Sequence, residues 1–158
     1  MGSKFGVTGC MNNCLKAEEN DLGVKGGYAI AWDREACTLC GVCVPACREG
    51  ALAQADGAIL LDSAKCNHCG RCVKSCPFGA WRGEPGYALR FGGTFGNLIA
   101  KGEASLPLLR TKEELFKAAD AALDFFDAYG APGERFRVCI ERAGWDFFNA
   151  YIREAVYG

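Results

Sequence analysis

Eight of the chain's cysteines stand in two runs with one spacing. "DREACTLCGVCVPACREGA" covers Asp33 to Ala51, and "DSAKCNHCGRCVKSCPFGA" covers Asp62 to Ala80, 29 residues further on. Each reads C-x2-C-x2-C-x3-C: Cys37, Cys40, Cys43 and Cys47, then Cys66, Cys69, Cys72 and Cys76. Asp33 matches Asp62, Gly41 matches Gly70, and Gly50-Ala51 matches Gly79-Ala80. Three thiolates in one tight loop can cap three irons of a [4Fe–4S] cube. The fourth cysteine is expected to begin a helical turn, point the other way and ligate the other cube. That crossing assigns cluster I to Cys37, Cys40, Cys43 and Cys76, and cluster II to Cys66, Cys69, Cys72 and Cys47. Zinc motifs usually pair C-x2-C units a dozen or more residues apart, so a third cysteine two residues on, twice over, argues against zinc. His68, between Cys66 and Cys69, reads as an exposed loop histidine rather than a ligand.

On these cysteines, residues 27–83 resemble the bacterial 2[4Fe–4S] ferredoxin family. Arg48 departs from it, because the second run carries Pro77 after its last cysteine. The turn after Cys47 is therefore the place where the two halves are expected to differ. "YAIAW" (Tyr28 to Trp32) and "AILLD" (Ala58 to Asp62) read as short strands, each leading into a cysteine loop and shielding it from water.

Composition narrows the class. Half of the 158 residues are hydrophobic, enough for a packed core. The net charge of −1 and the lack of a basic run argue against nucleic acid or a membrane surface as partner. No apolar stretch approaches membrane-spanning length, and no signal-peptide pattern is visible. Eleven cysteines, an odd number at short regular spacings, fit a metalloprotein in a reducing, cytoplasmic compartment better than a disulfide framework.

The flanks must position whatever else the chain does. Tyr87 to Phe91 reads as a strand, followed by a glycine-rich turn at Gly92, Gly93 and Gly96 that does not fit a dinucleotide fingerprint. Thr111 and Glu114 form a capping box. Leu115, Ala119, Ala122, Phe126 and Tyr129 form an apolar stripe that Gly130 and Pro132 end. "GERFRVCIERAG" reads as a short helix with Phe136, Cys139, Ile140 and Ala143 on one face, which makes Cys139 a core thiol. "WDFFNAYIREAV" reads as a last helix.

One pair remains, Cys10 and Cys14 in "GCMNNC", which alone cannot complete a metal site. "GCMNNCLKAEENDLGVKGG", "YALRFGGTFGN" and "GERFRVCIERAGW", in that order, resemble the C-terminal half of the sirohaem-containing sulfite and nitrite reductases. The matching residues are Gly9, Cys10, Asn12, Cys14, Gly23, Gly26, Gly92, Gly93, Arg142 and Gly144. Met11 replaces a usual proline, and Thr94 and Phe95 stand where many members carry polar residues that contact sirohaem. The resemblance implies that Cys10 is a ligand of a third [4Fe–4S] cluster and that Cys14 is a ligand and the bridge to the sirohaem iron. It also implies two further ligands from an upstream C-x5-C pair that this chain does not contain.

The expected fold is therefore α+β. A ferredoxin-type module (28–83) is inserted into a nitrite/sulfite reductase half-domain (1–27 and 84–158), as in the dissimilatory or anaerobic branch of that family. The chain is expected to be a portion or subunit of such an oxidoreductase and inactive alone. Two clusters would pass electrons toward a sirohaem–[4Fe–4S] centre that reduces sulfite or nitrite. Its partners would be the upstream segment or subunit supplying the C-x5-C pair, and an electron-donor protein. The alternatives are a stand-alone dicluster electron carrier without catalysis and an iron–sulfur sensor or assembly protein.

Overall fold

The structure, a computed structural model, describes residues 3–158. Met1 and Gly2, the start of the expected half-domain, lie outside the described residues. The fold is α+β. In chain order the elements are β1 (Phe5–Thr8), β2 (Leu22–Trp32), α1 (Cys43–Ala46), β3 (Leu52–Ala55), β4 (Ala58–Leu61), α2 (Arg71–Ser75), β5 (Trp81–Phe91), α3 (Lys112–Tyr129), α4 (Phe136–Ala143) and α5 (Trp145–Tyr157). One sheet has the order β1-β2-β5, and β3 and β4 form a second. The chain divides into two compact units. One comprises Met1–Gly26 with Gly86–Gly158, and the other is Gly27–Pro85.

Within Gly27–Pro85 the sequence repeat becomes a structural one. Asp33 Oδ1 accepts from the Glu35 backbone N–H at 3.0 Å, and Asp62 Oδ1 accepts from that of Ala64 at 3.0 Å. These side-chain turns steer each strand into its cysteine loop. The halves also exchange matched backbone bonds, Asp33 N–H to Ala80 O at 2.7 Å and Asp62 N–H to Ala51 O at 2.8 Å. α1 begins at Cys43 and α2 follows Gly70, while Cys47 and Cys76 close these helices. The fourth cysteine of each run thus ends a helical turn instead of beginning one, a correction to the expectation. Its backbone is already extended.

Strand β3 was not expected. It pairs antiparallel with β4, with Leu52 opposite Leu61 and Ala55 opposite Ala58. The signal was present in Asp56-Gly57, whose φ values of 50° and 67° make the left-handed two-residue turn that suits a hairpin. β2 and β5 are also longer than the expected Tyr28–Trp32 and Tyr87–Phe91. Gly23, Gly26 and Gly27 in one, and Gly83, Pro85 and Gly86 in the other, lower strand propensity and hid the extension.

In the other unit, β1 runs parallel to β2 with Phe5 beside Leu22 and Val7 beside Val24. The capping box of α3 is present: Glu114 N–H donates to Thr111 Oγ1 at 3.1 Å and Thr111 N–H to the Glu114 carboxylate at 3.2 Å. The buried face of α3 is Ala118, Ala121, Ala122 and Phe125, rotated from the expected stripe, and Tyr129 is exposed. Three alanines there let α3 pack closely, which a count of large apolar residues does not weigh. Phe125 meets Phe148 edge-on at 5.0 Å, and Phe148 meets Phe91 at 5.3 Å. Such pairs add about 0.5–1.5 kcal/mol each beyond burial. Cys139 and Ile140 of α4 are fully buried in this core. Burial raises the Cys139 thiol, as does the Glu134 charge, which fits a neutral packing residue.

Candidate functional site

The eight cysteines of Gly27–Pro85 surround two hollows. Cys37, Cys40, Cys43 and Cys76 line one of about 290 Å³, partly open to solvent. Cys66, Cys69, Cys72 and Cys47 line the other, of about 320 Å³. Each set draws three thiols from one run and the last thiol from the other. Ile59 and Trp81 close the first hollow, and Ile30, Leu52 and Leu61 the second. Among the described residues, no disulfide joins any cysteine.

The two turns after the fourth cysteines are alike despite Arg48 and Pro77. The Ala51 N–H donates to Cys47 Sγ at 3.3 Å, and the Ala80 N–H donates to Cys76 Sγ at 3.3 Å. Gly50 and Gly79, at φ 62° and 66°, permit both turns. The proline is thus dispensable for this geometry, because the glycine three residues after each fourth cysteine supplies the left-handed step.

The thiols feel these surroundings unequally. Burial raises Cys66, and raises Cys72 to about 11. Burial also works upward on Cys76, but the backbone N–H groups of Phe78, Ala80, Trp81 and Gly79 outweigh it and hold this thiol below its ordinary value. A buried thiol becomes a thiolate when a cation takes the proton's place. Among the described residues, no three of His, Cys, Asp or Glu converge closely enough to hold one metal ion. A tetrahedral zinc needs four sulfurs about 2.3 Å from a single point. Four thiols around one hollow are a donor set that a multi-iron cluster uses, each sulfur meeting a different iron. The donor set and the backbone N–H groups aimed at sulfur fit such a group. His68 lines neither hollow; its half-buried ring has Nδ1 3.3 Å from the Tyr28 carbonyl.

Cys10 and Cys14 lie in the other unit, on the loop between β1 and β2, and both are exposed. Their loop is nonetheless anchored. A Cβ at Gly26 would sit 2.5 Å from Gly9 O, and one at Gly93 would sit 2.1 Å from Glu18 O, so only glycine allows these approaches. The Gly102 N–H donates to Glu18 O at 2.7 Å, and that of Gly92 to Asp21 O at 2.8 Å. Arg137 reaches from α4 to Gly92 O at 3.0 Å.

Beneath the loop lies a charged centre that sequence reasoning missed. Glu18 is buried and pairs with buried Lys25. Arg90 Nε and Lys101 Nζ each lie 3.8 Å from its carboxylate, and Asn13 Nδ2 donates to it at 3.4 Å. Burial pushes the Glu18 carboxyl up, but the Lys25 hydrogen bond and the charges of Lys25, Arg90 and Lys101 prevail and hold it below its ordinary value. In sequence, Glu18-Glu19 is indistinguishable from a solvated acidic run. Thr94 is buried and its Oγ1 finds no partner among the described residues, while Phe95 is exposed with Lys16 Nζ 4.7 Å from its ring. Arg142 is not at this loop. It holds Glu134 through two bonds, at 2.8 and 2.9 Å, and donates to Tyr129 O, clasping the end of α3 to α4.

The class of protein follows from comparison. Residues 3–157 match the family model described as the nitrite and sulphite reductase 4Fe-4S domain, and the chain belongs to that family. It is 41% identical over 92 residues to a subunit of the anaerobic sulfite reductase of Salmonella typhimurium, covering 55% of this chain and 27% of that protein. It is 31% identical over 154 residues to the coenzyme F420-dependent sulfite reductase of Methanocaldococcus jannaschii, covering 96% of this chain and 24% of that protein. The chain thus spans about a quarter of the length of these relatives. The crystal structure of dissimilatory sulfite reductase I shares the fold, with a TM-score of 0.64 at 20% identity over 95% of this chain and 42% of that one.

Proposed function

We propose that this chain is the iron–sulfur electron-transfer portion of a sulfite reductase. In this reading Cys37, Cys40, Cys43 and Cys76 hold one [4Fe–4S] cluster, and Cys66, Cys69, Cys72 and Cys47 hold a second. The observation that carries it is the crossed lining of the two hollows, three thiols from one run and one from the other, in a chain of a 4Fe-4S reductase family. The clusters supply one-electron storage when bound. The protein's own part is to present eight thiolates, to exclude water with Ile30, Ile59, Leu52 and Leu61, and to donate N–H groups to Cys47 and Cys76.

Cys10 and Cys14 are proposed as half of a third site, a [4Fe–4S] cluster linked to sirohaem. Its remaining ligands come from an upstream C-x5-C pair, in another segment or in a partner subunit. Exposed thiols on an anchored loop support this reading, since the loop is held while the sulfurs stay accessible. Both named curated relatives are sulfite reductases, which favours sulfite over nitrite as the substrate. Electrons would come from a separate donor protein.

The test is an anaerobic count of iron and acid-labile sulfide on the reconstituted chain, with electron paramagnetic resonance (EPR) after reduction. About eight of each per chain is expected. Zinc, or iron without sulfide, would refute the reading.

A further inference from the structure

The repeat makes Gly27–Pro85 its own control, because most wall positions of one hollow have a partner 29 residues away in the other. Most matched features are equivalent. The N–H donors to Cys47 and Cys76 are the same length, and Ile30 matches Ile59, each in its own hollow. Three pairs differ in kind. Val42 and Phe78 in the first hollow match Arg71 and Glu49 in the second, apolar side chains against charged ones, and the third pair sets a hydrogen-bond donor against a hydrocarbon. Leu52 lines the hollow of Cys66, Cys69, Cys72 and Cys47, and its match, Trp81, lines the hollow of Cys37, Cys40, Cys43 and Cys76. Trp81 is 3% exposed, and its indole Nε1 is sealed from solvent with no hydrogen-bond partner among the described residues.

Burying an indole N–H without a partner is unfavourable, and tryptophan in a core normally finds an acceptor. Thiolate and sulfide sulfurs are the acceptors that a cluster would bring to this wall. We infer that the Trp81 indole N–H donates a hydrogen bond to a sulfur of the cluster held in the first hollow, and that this bond makes it the easier of the two clusters to reduce. The inference rests on the two-cluster reading above. Its physical basis is charge. Reduction adds negative charge to the sulfurs, and a fixed donor stabilises that charge, so the potential rises. Leu52 offers the second cluster no such donor. The second hollow carries one acid and one base in its wall, Glu49 and Arg71, whose charges oppose each other. Trp32 is a second indole without a partner among the described residues of this unit but lines neither hollow, which makes it a natural control.

The experiment uses the full chain, reconstituted without oxygen, in three forms: wild type, Trp81→Phe and Trp32→Phe. Potentiometric titration followed by EPR is expected to give two unequal midpoint potentials in the wild type. Trp81→Phe should shift the higher one downward and leave the lower one in place, and Trp32→Phe should move neither. In wild-type protein labelled with 15N only at the tryptophan indole nitrogen, so that the Trp81 backbone N–H near Cys76 stays silent, pulsed EPR should detect one indole nitrogen coupled to a reduced cluster. That coupling should vanish in Trp81→Phe and persist in Trp32→Phe. Unchanged potentials in a fully loaded Trp81→Phe, or no 15N coupling in the wild type, would overturn the inference. If Trp81→Phe fails to hold its cluster, the wild-type coupling decides alone. A wild-type chain that takes up no iron and sulfide would sink the cluster reading itself, a different result from full loading with an inert Trp81.

Discussion

Two regions of this chain carry closely spaced cysteines, and they handle them in opposite ways. In Gly27–Pro85, eight thiols face two hollows and supply each other's fourth member. On the loop after β1, Cys10 and Cys14 stand exposed with no third ligand among the described residues, while the backbone beneath them is held by glycine contacts and the Glu18 pair. The difference separates two design problems. A set of ligands contained in one module can be positioned by repeating a turn twice. On the proposed reading of Cys10 and Cys14 as half of a ligand set, the loop must be held by its floor, which the glycine contacts and the Glu18 pair provide.

The contrast breaks most visibly at the crossing. Cys47→Ala combined with Cys66→Ala should remove ligands from one hollow only, leaving about four irons of about eight. Cys47→Ala combined with Cys37→Ala removes a ligand from each and should abolish nearly all bound iron. Uncrossed ligation would reverse the two counts, and metal analysis reads them directly. Next comes the open pair. Cys10→Ser with Cys14→Ser should leave this chain's iron and sulfide unchanged, yet abolish sirohaem absorption in the complete reductase. Activity that survives the double change there would refute the proposed role of the loop.

The floor of the loop gives a smaller effect. Lys25→Met leaves the buried Glu18 carboxylate with the long Asn13 hydrogen bond and the more distant Arg90 and Lys101 charges, and should cost about 1–3 kcal/mol in denaturant unfolding. It also changes the acid limb of stability. The Glu18 carboxyl lies below its ordinary 4.5 in the folded chain. Its contribution is therefore full above about pH 4.5 and is lost as pH falls through the depressed value. Without Lys25 that loss should begin at a higher pH in a series of melting curves. The smallest change, Thr111→Ala, removes the cap of α3 and should cost about 1 kcal/mol without altering the iron count. A drop in iron with this variant would mean that the metal-binding unit depends on the helical core.

Much of this was legible from residue order because it depends on local spacing. The 29-residue repeat, the capping box, the core position of Cys139 and the last three helices are short-range patterns. The α+β class and the reductase family followed from them and from ordered signature residues such as Gly9, Cys14 and Gly93. The hairpin of β3 and β4 has its own local signal in Asp56-Gly57, a turn pair that is easy to pass over between two short apolar runs. The rotated face of α3 is harder, because alanines that permit close packing look neutral in an apolar count.

Spacing says which residues share a turn, but not which distant residues share a space. That Glu18 lies buried among Lys25, Arg90 and Lys101 depends on β5 and the Gly102 segment meeting one loop. That Arg142 clasps α3 to α4 rather than serving the cysteine loop depends on where helix ends fall. That Trp81 faces a hollow with an unmet N–H, while Leu52 faces its counterpart, needed both the repeat and the packed walls. The reason is common to all three. Burial and partner choice are set by long-range packing, which brings together residues that no short window of sequence contains.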